Sequence, residues 1–165
     1  IHIRKLVSEL DDCHVVGLDG SAFDAHVTVA ALDAEAKFFD ASCVTWTQRD
    51  RETAQTFFRD QRLNKCSARC KDGFVKYRTV GNRMSGDLNT GCGNSVLQSL
   101  YIAFAMKELG VPETKWRMFV DGDDALLFLA GAYRHVADKL TEFFLHFGHE
   151  VKVDGCEPVN IDRLE

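Results

Sequence analysis

Three carboxylates stand within four positions of the segment FVDGDDALLF, at Asp121, Asp123 and Asp124. Apolar residues flank them, a pattern that predicts a strand, a tight turn at Gly122 and a second strand. Carboxylates this close repel one another, and the run contains no Lys or Arg to neutralise them. A divalent cation would supply the positive charge, and carboxylate oxygens suit Mg²⁺ or Mn²⁺. The alternative is a solvated, Asp-rich hairpin turn without a metal.

A second pair of carboxylates lies nearer the N-terminus. Asp19 ends the apolar strand predicted over residues 13–18, and Asp24 follows near the start of a predicted helix. If this strand lies beside the acidic hairpin, we expect Asp19 to face Asp123 across the sheet. Carboxylates from two adjacent strands can hold two metal ions roughly 4 Å apart, which is the geometry of two-metal phosphoryl transfer. The sequence therefore indicates metal-assisted chemistry at a phosphate.

The third chemical element is the Gly-rich segment NRMSGDLNTGCGNS, residues 82–95. It spaces Ser85, Gly86, Thr90 and Asn94 as S-G-x-x-x-T-x-x-x-N. Thr90 and Asn94 share a face once a helix begins, because they are four residues apart. Their hydroxyl and amide groups, with the hydroxyl of Ser85, suit the hydroxyls of a sugar. The alternative is an ordinary helix start, with a cap and small residues for packing.

Composition and charge limit the classes of function. The 165 residues suit one domain with a sizeable core, and 45% hydrophobic with 27% charged residues is typical of a soluble globular protein. The net charge of −5 argues against a general nucleic-acid binder. No run approaches the roughly 20 apolar residues of a membrane helix. The six cysteines indicate reduced thiols, and the closely spaced Cys66 and Cys70 lack a second pair at zinc-finger spacing.

Hydrophobic periodicity predicts alternating strands and helices around these residues. A central sheet with helices packed on one face, an α+β fold, fits this order. The predicted elements are a strand over 13–23, helices over 24–41 and 47–63, a hairpin over 67–80, a helix over 96–110, a strand–turn–strand over 115–130, a helix over 135–148, and strands over 149–155 and 159–165.

The three chemical segments, in this order, resemble the palm of viral RNA-dependent RNA polymerases. LDGSAFDAHVT resembles palm motif A, MSGDLNTGCGNS resembles motif B, and VDGDDALLF resembles motif C. The residues within these motifs most resemble those of polymerases from tombusvirus-like positive-strand RNA viruses. The resemblance covers roughly residues 13–165. It implies a palm-type (RRM/ferredoxin-like) antiparallel sheet with helices on one face. It also implies an RNA-directed RNA polymerase, which adds a nucleotide from a ribonucleoside triphosphate to an RNA 3′-OH and releases pyrophosphate.

The resemblance also implies catalytic roles for particular residues. Asp19 and Asp123 would be the main ligands of two Mg²⁺ or Mn²⁺ ions, with Asp124 as the secondary acidic partner. Lys152 falls where motif D carries a lysine that protonates the departing pyrophosphate. A plain lysine on the strand surface is the alternative for this residue. Arg83 would contact an RNA phosphate, or it would lie solvated at the surface.

Recognition of the nucleotide's sugar is the second role that the resemblance implies. Asp24 and Asn94 would form the hydrogen-bonding pair that detects the ribose 2′-OH. Ser85 and Thr90 would support this pair, and Gly86 would make the loop flexible. Reverse transcriptases and nucleotide cyclases, which share the palm, lack this Ser/Thr/Asn loop. The pair therefore argues against these two classes, while a palm-like module without activity stays open.

One residue departs from the family's pattern, and the chain covers only part of the family's architecture. Asp121 stands before the glycine of the GDD turn; strand alternation points it away from the immediate side of Asp123, yet it adds negative charge. We expect residues 42–82 to be part of the fingers insertion, with the remaining fingers upstream of Ile1 and the thumb downstream. The isolated fragment would then be inactive.

Expected partners follow from the same resemblance. They are an RNA template with a primer or nascent strand, ribonucleoside triphosphates, and the fingers and thumb of the full-length protein. Relatives act in replication complexes in the host cell cytoplasm. Membrane association would come only through other regions or partners.

Overall fold

A four-stranded antiparallel sheet positions the acidic turn. In the computed structural model, residues 3–160 are described, and the chain forms two compact units. The first unit joins the residues up to 23 with those from 91 onward, and the second comprises residues 24–90. The helices and strands are α1 (Ile3–Val7), β1 (His14–Ser21), α2 (Phe23–His26), α3 (Val29–Ser42), α4 (Gln48–Asp60), β2 (Leu63–Cys70), β3 (Gly73–Val80), α5 (Thr90–Glu108), β4 (Trp116–Asp121), β5 (Asp124–Leu129), α6 (Ala137–Leu145) and β6 (Glu150–Pro158).

The sheet of the first unit has the strand order β4-β5-β1-β6. β1 pairs antiparallel with both β5 and β6, and β4 pairs antiparallel with β5. Helix α5 lies in sequence between β1 and β4, and α6 lies between β5 and β6. This is the split β-α-β arrangement of ferredoxin-like folds. The predicted α+β, palm-type architecture is confirmed.

The core of the first unit lies on one face of this sheet. Burial alternates along β1, where Val16 and Leu18 are almost fully buried, and Val16 lies opposite the buried Leu127 of β5. Such alternation is what a sheet with one covered face requires. Helices α5 and α6 contact each other through Tyr101 and Phe144, whose ring centroids lie 6.1 Å apart. Their apolar sides complete the core.

The N-terminal helix α1 covers part of the opposite face, which the sequence did not predict. Val7, Leu10 and Cys13 form a buried cluster with Phe128 of β5. Val15 lies opposite Phe128 in the register and packs against this cluster. One end of the second face is therefore covered, while its other end, toward the acidic turn, stays exposed.

Two longer helices and a two-stranded hairpin make up most of the second unit. α3 and α4 pack through Phe39 and Phe58, whose rings stack with centroids 5.6 Å apart. Strands β2 and β3 pair antiparallel from Leu63↔Val80 to Cys70↔Gly73. The hairpin is therefore four residues longer at its start than the predicted 67–80.

Two predicted helices differ most from the structure, and α4 and α6 are each shorter than predicted. The helix predicted over 24–41 is divided into α2 and α3, because Thr28 is extended and its hydroxyl accepts a hydrogen bond from the Ala31 amide as an N-cap. Helix α5 begins at Thr90 rather than at residue 96, despite two glycines in its first turn. Residues 161–165 of the predicted last strand lie outside the described residues. Within residues 3–160, no helix is long and apolar enough to cross a membrane.

Candidate active site

The acidic turn is a two-residue hairpin loop between β4 and β5. Asp121 and Asp124 close it as the last paired residues, and Gly122 and Asp123 form the loop. Gly122 has φ of +66°, and hairpin turns of type II′ place glycine at this first loop position. The hydroxyl of Ser95 in α5 accepts a hydrogen bond of 2.9 Å from the Gly122 amide. The turn is therefore fixed both by its own backbone and by the helix behind it.

The strand register brings carboxylates and a lysine to one face of the sheet. Asp19 of β1 lies opposite Asp124 on one side and opposite Lys152 of β6 on the other. Directly opposed residues of antiparallel strands project to the same face. The expectation that Asp19 faces Asp123 across the sheet was wrong, because the two-residue loop places Asp123 beyond the last pair. Asp121, opposite Asp124, also shares this face.

Asp123 nevertheless lies against the end of β1. A Cβ built on Gly20 would be 3.5 Å from the Asp123 Cβ and 2.9 Å from the Phe23 ring. Only a residue without a side chain at position 20 leaves this space open. The glycine after Asp19 thus allows the turn to approach the first carboxylate.

The electrostatics of this face are those of an acidic cluster. The pKa of the Asp124 carboxyl is raised, first by desolvation and then by the negative charges of Asp123, Asp19 and Asp121. Both causes disfavour the charged carboxylate, and a bound cation would offset the repulsive part. The prediction that Asp121 adds negative charge near the turn agrees with this shift.

Strand β6 adds a positive charge to this face, the ammonium group of Lys152. Its ammonium lies 3.1 Å from the Asp154 carboxylate, and its pKa is raised by that hydrogen bond and charge and, to a lesser extent, by Asp19. The side chain is 71% exposed, so the group is accessible from solvent. Asp154 lies opposite Gly17, two residues from the Lys152↔Asp19 pair, and the β1–β6 register shifts just beyond it, between Val16 and Gly17.

A depression of about 390 Å³ lies on this face of the sheet. Its polar lining consists of carboxylates, and its apolar lining includes Phe119 and Leu126. This volume is in the range of small-molecule sites. The carboxylates are Asp19, Asp121, Asp124 and Asp154.

The donor chemistry of this face suits a hard divalent cation, since carboxylate oxygens are its preferred ligands. Within residues 3–160, however, no group of three His, Cys, Asp or Glu side chains is already arranged to hold an ion. The carboxylates are close enough to raise the pKa of Asp124, but they do not surround a single position for an ion. Metal coordination here stays a prediction.

The second unit positions part of the predicted sugar-recognition set. The Ser85 hydroxyl donates a short hydrogen bond to the Asp24 carboxylate, and the Arg83 amide donates to the Asp24 carbonyl at 2.8 Å. The Thr90 hydroxyl donates within the loop, to the carbonyls of Met84 and Asp87. The loop thus holds Ser85 on Asp24 and uses Thr90 to close itself.

Two other members of the set have distinct positions. Gly86 has φ of +101°, a conformation that favours glycine. Asn94 is buried in α5 and belongs to the first unit, whereas Asp24 belongs to the second. Pairing of Asp24 with Asn94 stays a prediction.

Arg83 differs from both sequence-based interpretations, since its side chain is neither solvated nor open to an RNA phosphate. The guanidinium is fully buried and pairs with the carboxylate of Glu35, which is fully buried as well. Asn89 donates to the same carboxylate at 2.8 Å, and Gln61 donates to Asn89 at 2.8 Å. Arg83 therefore stabilises the Gly-rich loop from inside the second unit.

Sequence reasoning missed Glu35 as a member of this network. Ala31, Leu32 and Glu35 are the buried residues of α3, and Glu35 lies one helical turn after the two apolar ones. A charged residue on the apolar side of an amphipathic helix signals a buried partner. The sequence does not identify Arg83 as that partner, because 48 positions separate the two.

Comparison with known proteins agrees with this geometry. The family model described as viral RNA dependent RNA polymerase matches residues 2–163. The chain is 38% identical over 148 residues to the RNA-directed RNA polymerase of Red clover necrotic mosaic virus, covering 88% of this chain and 18% of that protein. It is 37% identical over 159 residues to that of Carnation ringspot virus, covering 95% and 19%. For Tobacco necrosis virus (strain A) the identity is 31% over 152 residues, covering 91% and 20%. The chain thus spans about a fifth of these relatives.

Proposed function

This chain belongs to the viral RNA-dependent RNA polymerase family, and we propose that it is the catalytic palm of an RNA-directed RNA polymerase. The complete enzyme would join a nucleotide from a ribonucleoside triphosphate to an RNA 3′-OH and release pyrophosphate. The observation that carries this proposal is the strand register, in which Asp19 lies opposite Asp124 beside the Asp123 turn. The exposed depression next to these carboxylates offers room for a substrate.

Members of this family generally depend on divalent metal ions, and Asp19, Asp123 and Asp124 would hold two Mg²⁺ or Mn²⁺ ions here. When bound, such ions would lower the pKa of the attacking hydroxyl and neutralise the leaving pyrophosphate. The chain's own contribution is an exposed sheet face rich in carboxylates, where desolvation and then the charges of Asp123, Asp19 and Asp121 raise the pKa of Asp124. That repulsion favours cation binding over the empty state.

Lys152 would act as the general acid for the departing pyrophosphate. Its support is its position opposite Asp19, on the sheet face that carries the acidic turn. Asp154 holds the ammonium at 3.1 Å in the absence of substrate. A triphosphate, with more negative charge than one carboxylate, would compete for the same group.

The Gly-rich loop would recognise the ribose of the incoming nucleotide. Asp24 and Asn94 would detect the 2′-OH, as the family resemblance implies. The hydrogen bond from Ser85 to Asp24 supports this assignment, because it orients the carboxylate within the second unit. Thr90 and Gly86 would set the loop's conformation.

The remaining partners are those of a larger polymerase. RNA and ribonucleoside triphosphates would be the substrates. Fingers and thumb would come from the rest of the protein, with residues 42–82 as part of the fingers. By the same resemblance, the enzyme would work in a viral replication complex in the host cytoplasm.

Calorimetric titration with Mn²⁺ and with Mg²⁺, with and without a ribonucleoside triphosphate, tests this proposal. We expect binding to the wild-type chain that is lost in Asp123→Asn, which keeps the side-chain shape but removes the charge. The control is Asp72→Asn, in the turn of the β2–β3 hairpin, which makes the same chemical change away from the acidic face. Equal binding by all three chains, or none to the folded wild type under any condition, would contradict a metal site at the acidic turn.

A further inference from the structure

The β2–β3 hairpin concentrates positive charge in an acidic chain. Residues 63–80 contain five basic residues and one acidic residue, so the hairpin carries a formal charge of +4. The whole chain carries −5, which leaves −9 for the rest. A local excess of this size is the electrostatic footprint of a surface that meets an anionic partner.

The hairpin register sorts this charge onto one face. Lys65 lies opposite Arg78, Ser67 opposite Lys76, and Arg69 opposite Phe74. Because opposed residues of antiparallel strands project to the same side, these side chains share a face. We call it the basic hairpin face, comprising Lys65, Arg69, Lys76 and Arg78 with Ser67 and Phe74.

The opposite face of the hairpin contains no charged residue. Its members are Asn64, Cys66, Ala68 and Cys70 of β2 with Gly73, Val75, Tyr77 and Thr79 of β3. Every residue of the basic hairpin face is exposed, whereas Asn64, Cys66 and Thr79 of the other face are half-buried. The other five residues of that face are exposed as well, so the basic hairpin face is the more open of the two.

None of the four cations is engaged in an ion pair within the described residues 3–160. The Arg69 guanidinium instead lies over the ring of Phe74, 6.0 Å from its centroid. Phe74 is 72% exposed, a large apolar area for a surface residue. A cation beside an accessible aromatic ring can meet a phosphate and stack on a base at the same position.

The hairpin is held firmly at its base. The side-chain amide of Asn64 donates to the carbonyls of Gly81 and Asn82, and the Gly81 amide donates to the Arg62 carbonyl. An isolated two-stranded hairpin is only marginally stable in water, and these bonds extend its pairing beyond Leu63 and Val80. The Asn82 amide donates to the Val27 carbonyl at 2.6 Å, which ties this end of the hairpin to the rest of the second unit. Lys65 and Arg69, on the same strand, are separated by about 14 Å at the usual rise of a strand.

We propose that the basic hairpin face binds single-stranded RNA, with its four cations on successive phosphates and Phe74 stacked on a base. This inference rests on the proposed polymerase function for the choice of RNA among polyanions. The aromatic ring at Phe74 favours a nucleic acid over an acidic protein segment, because bases stack on aromatic rings whatever their identity. The assignment predicts binding without sequence preference and with strong dependence on salt.

Fluorescence anisotropy with a short labelled single-stranded RNA tests the proposal, between about 50 and 200 mM salt. The test variant is Lys65→Gln/Lys76→Gln/Arg78→Gln. Each cation bound to a phosphate contributes about 0.7 to the slope of log K against log salt, so this slope should become shallower by about 2. Affinity at the low-salt end should fall by about tenfold or more.

The matched control is Arg49→Gln/Lys107→Gln/Lys139→Gln. It removes the same charges from exposed positions outside the hairpin and should leave the salt slope unchanged. Phe74→Ala should weaken binding by about fivefold or more at every salt concentration, because stacking is not a counterion effect.

Photo-cross-linking of 4-thiouridine RNA to the wild-type chain gives a readout without substitutions, and adducts within residues 63–80 are expected. Equal salt slopes for the hairpin and control variants would overturn the proposal, as would a wild type that does not bind at low salt. Retention on phosphatidylserine vesicles in preference to RNA would overturn the choice of partner. If the hairpin does not bind RNA while metal binding is lost only in Asp123→Asn, the RNA-binding proposal is refuted. The proposed polymerase function is then retained.

Discussion

Replacing Glu35 by Gln should destabilise the second unit strongly. The Glu35 and Arg83 side chains are both 0% exposed, and the carboxylate receives hydrogen bonds from two guanidinium nitrogens and from Asn89. Gln keeps the size of the side chain but removes the carboxylate charge that pairs with the buried Arg83 guanidinium. Removing one partner of a buried pair costs about 3–5 kcal/mol. That is a large share of the roughly 5–15 kcal/mol that stabilise a typical domain.

Native-state hydrogen exchange is the suitable assay, since it reports the opening of residues 24–90 separately from the first unit. The control is Asp40→Asn, the same acid-to-amide change in the same helix. Asp40 pairs with Arg51, and their side chains are 53% and 29% exposed. An exposed pair of this kind contributes about 0–1 kcal/mol. Amides of the second unit should therefore lose several kcal/mol of protection in Glu35→Gln and almost none in Asp40→Asn.

A double variant, Glu35→Leu/Arg83→Met, examines the physical reason for the cost. Apolar residues of similar size often replace a buried ion pair with little loss, because the desolvation cost of both charges disappears. The double variant should therefore be less destabilised than Glu35→Gln alone. The reasoning would be refuted if Glu35→Gln cost no more than Asp40→Asn, or if the double variant were the least stable of the three.

Two further predictions concern the first unit. Gly20→Ala should lower the free energy of unfolding, measured with urea, by about 1–3 kcal/mol, because its Cβ would lie 2.9 Å from the buried Phe23 ring. The control Gly155→Ala should lower it little, because no atom lies within 4 Å of its Cβ. Burial raises the pKa of the Cys13 thiol from 9.0 to about 11, so at pH 9 iodoacetamide should alkylate the exposed Cys70 much faster, as mass spectrometry of the peptides would show. Because the folded-state pKa is the higher one, the unfolding free energy should also fall as pH rises from 9 to 11, and equal alkylation or a flat profile would contradict the buried environment.

Local patterns predicted most elements of the fold. The alternation that places Val16 and Leu18 inside identified β1, and turn residues identified both hairpins. Short helices were harder to predict. Helix α1 was missed because five residues are too few to show a helical periodicity of apolar residues. The division of helix 24–41 at Thr28 was missed as well, since capping depends on a backbone conformation that propensity does not reveal.

The candidate residues of the site could be selected from the sequence, but their register could not. Asp19, Asp123 and Asp124 could be selected from the sequence, because paired carboxylates in apolar strands require compensation. Which of them face each other depends on the loop length, and a two-residue loop made Asp124 the partner of Asp19. Lys152 lies beside Asp19 through a pairing between residues 133 positions apart, and no short-range pattern carries such information.

The net charge of −5 also shows why an average is a poor guide to binding. It argues against a nucleic-acid partner only if charge is spread evenly, and this chain divides it into a hairpin of +4 and a remainder of −9. Charges farther apart than about 10 Å are largely screened at 0.1 M salt, so a ligand responds to the surface it meets rather than to the sum. A cation would meet the carboxylates of the sheet face, and a polyanion would meet the basic hairpin face. Both kinds of binding are therefore compatible with one acidic chain, and opposite salt and metal dependences should separate them.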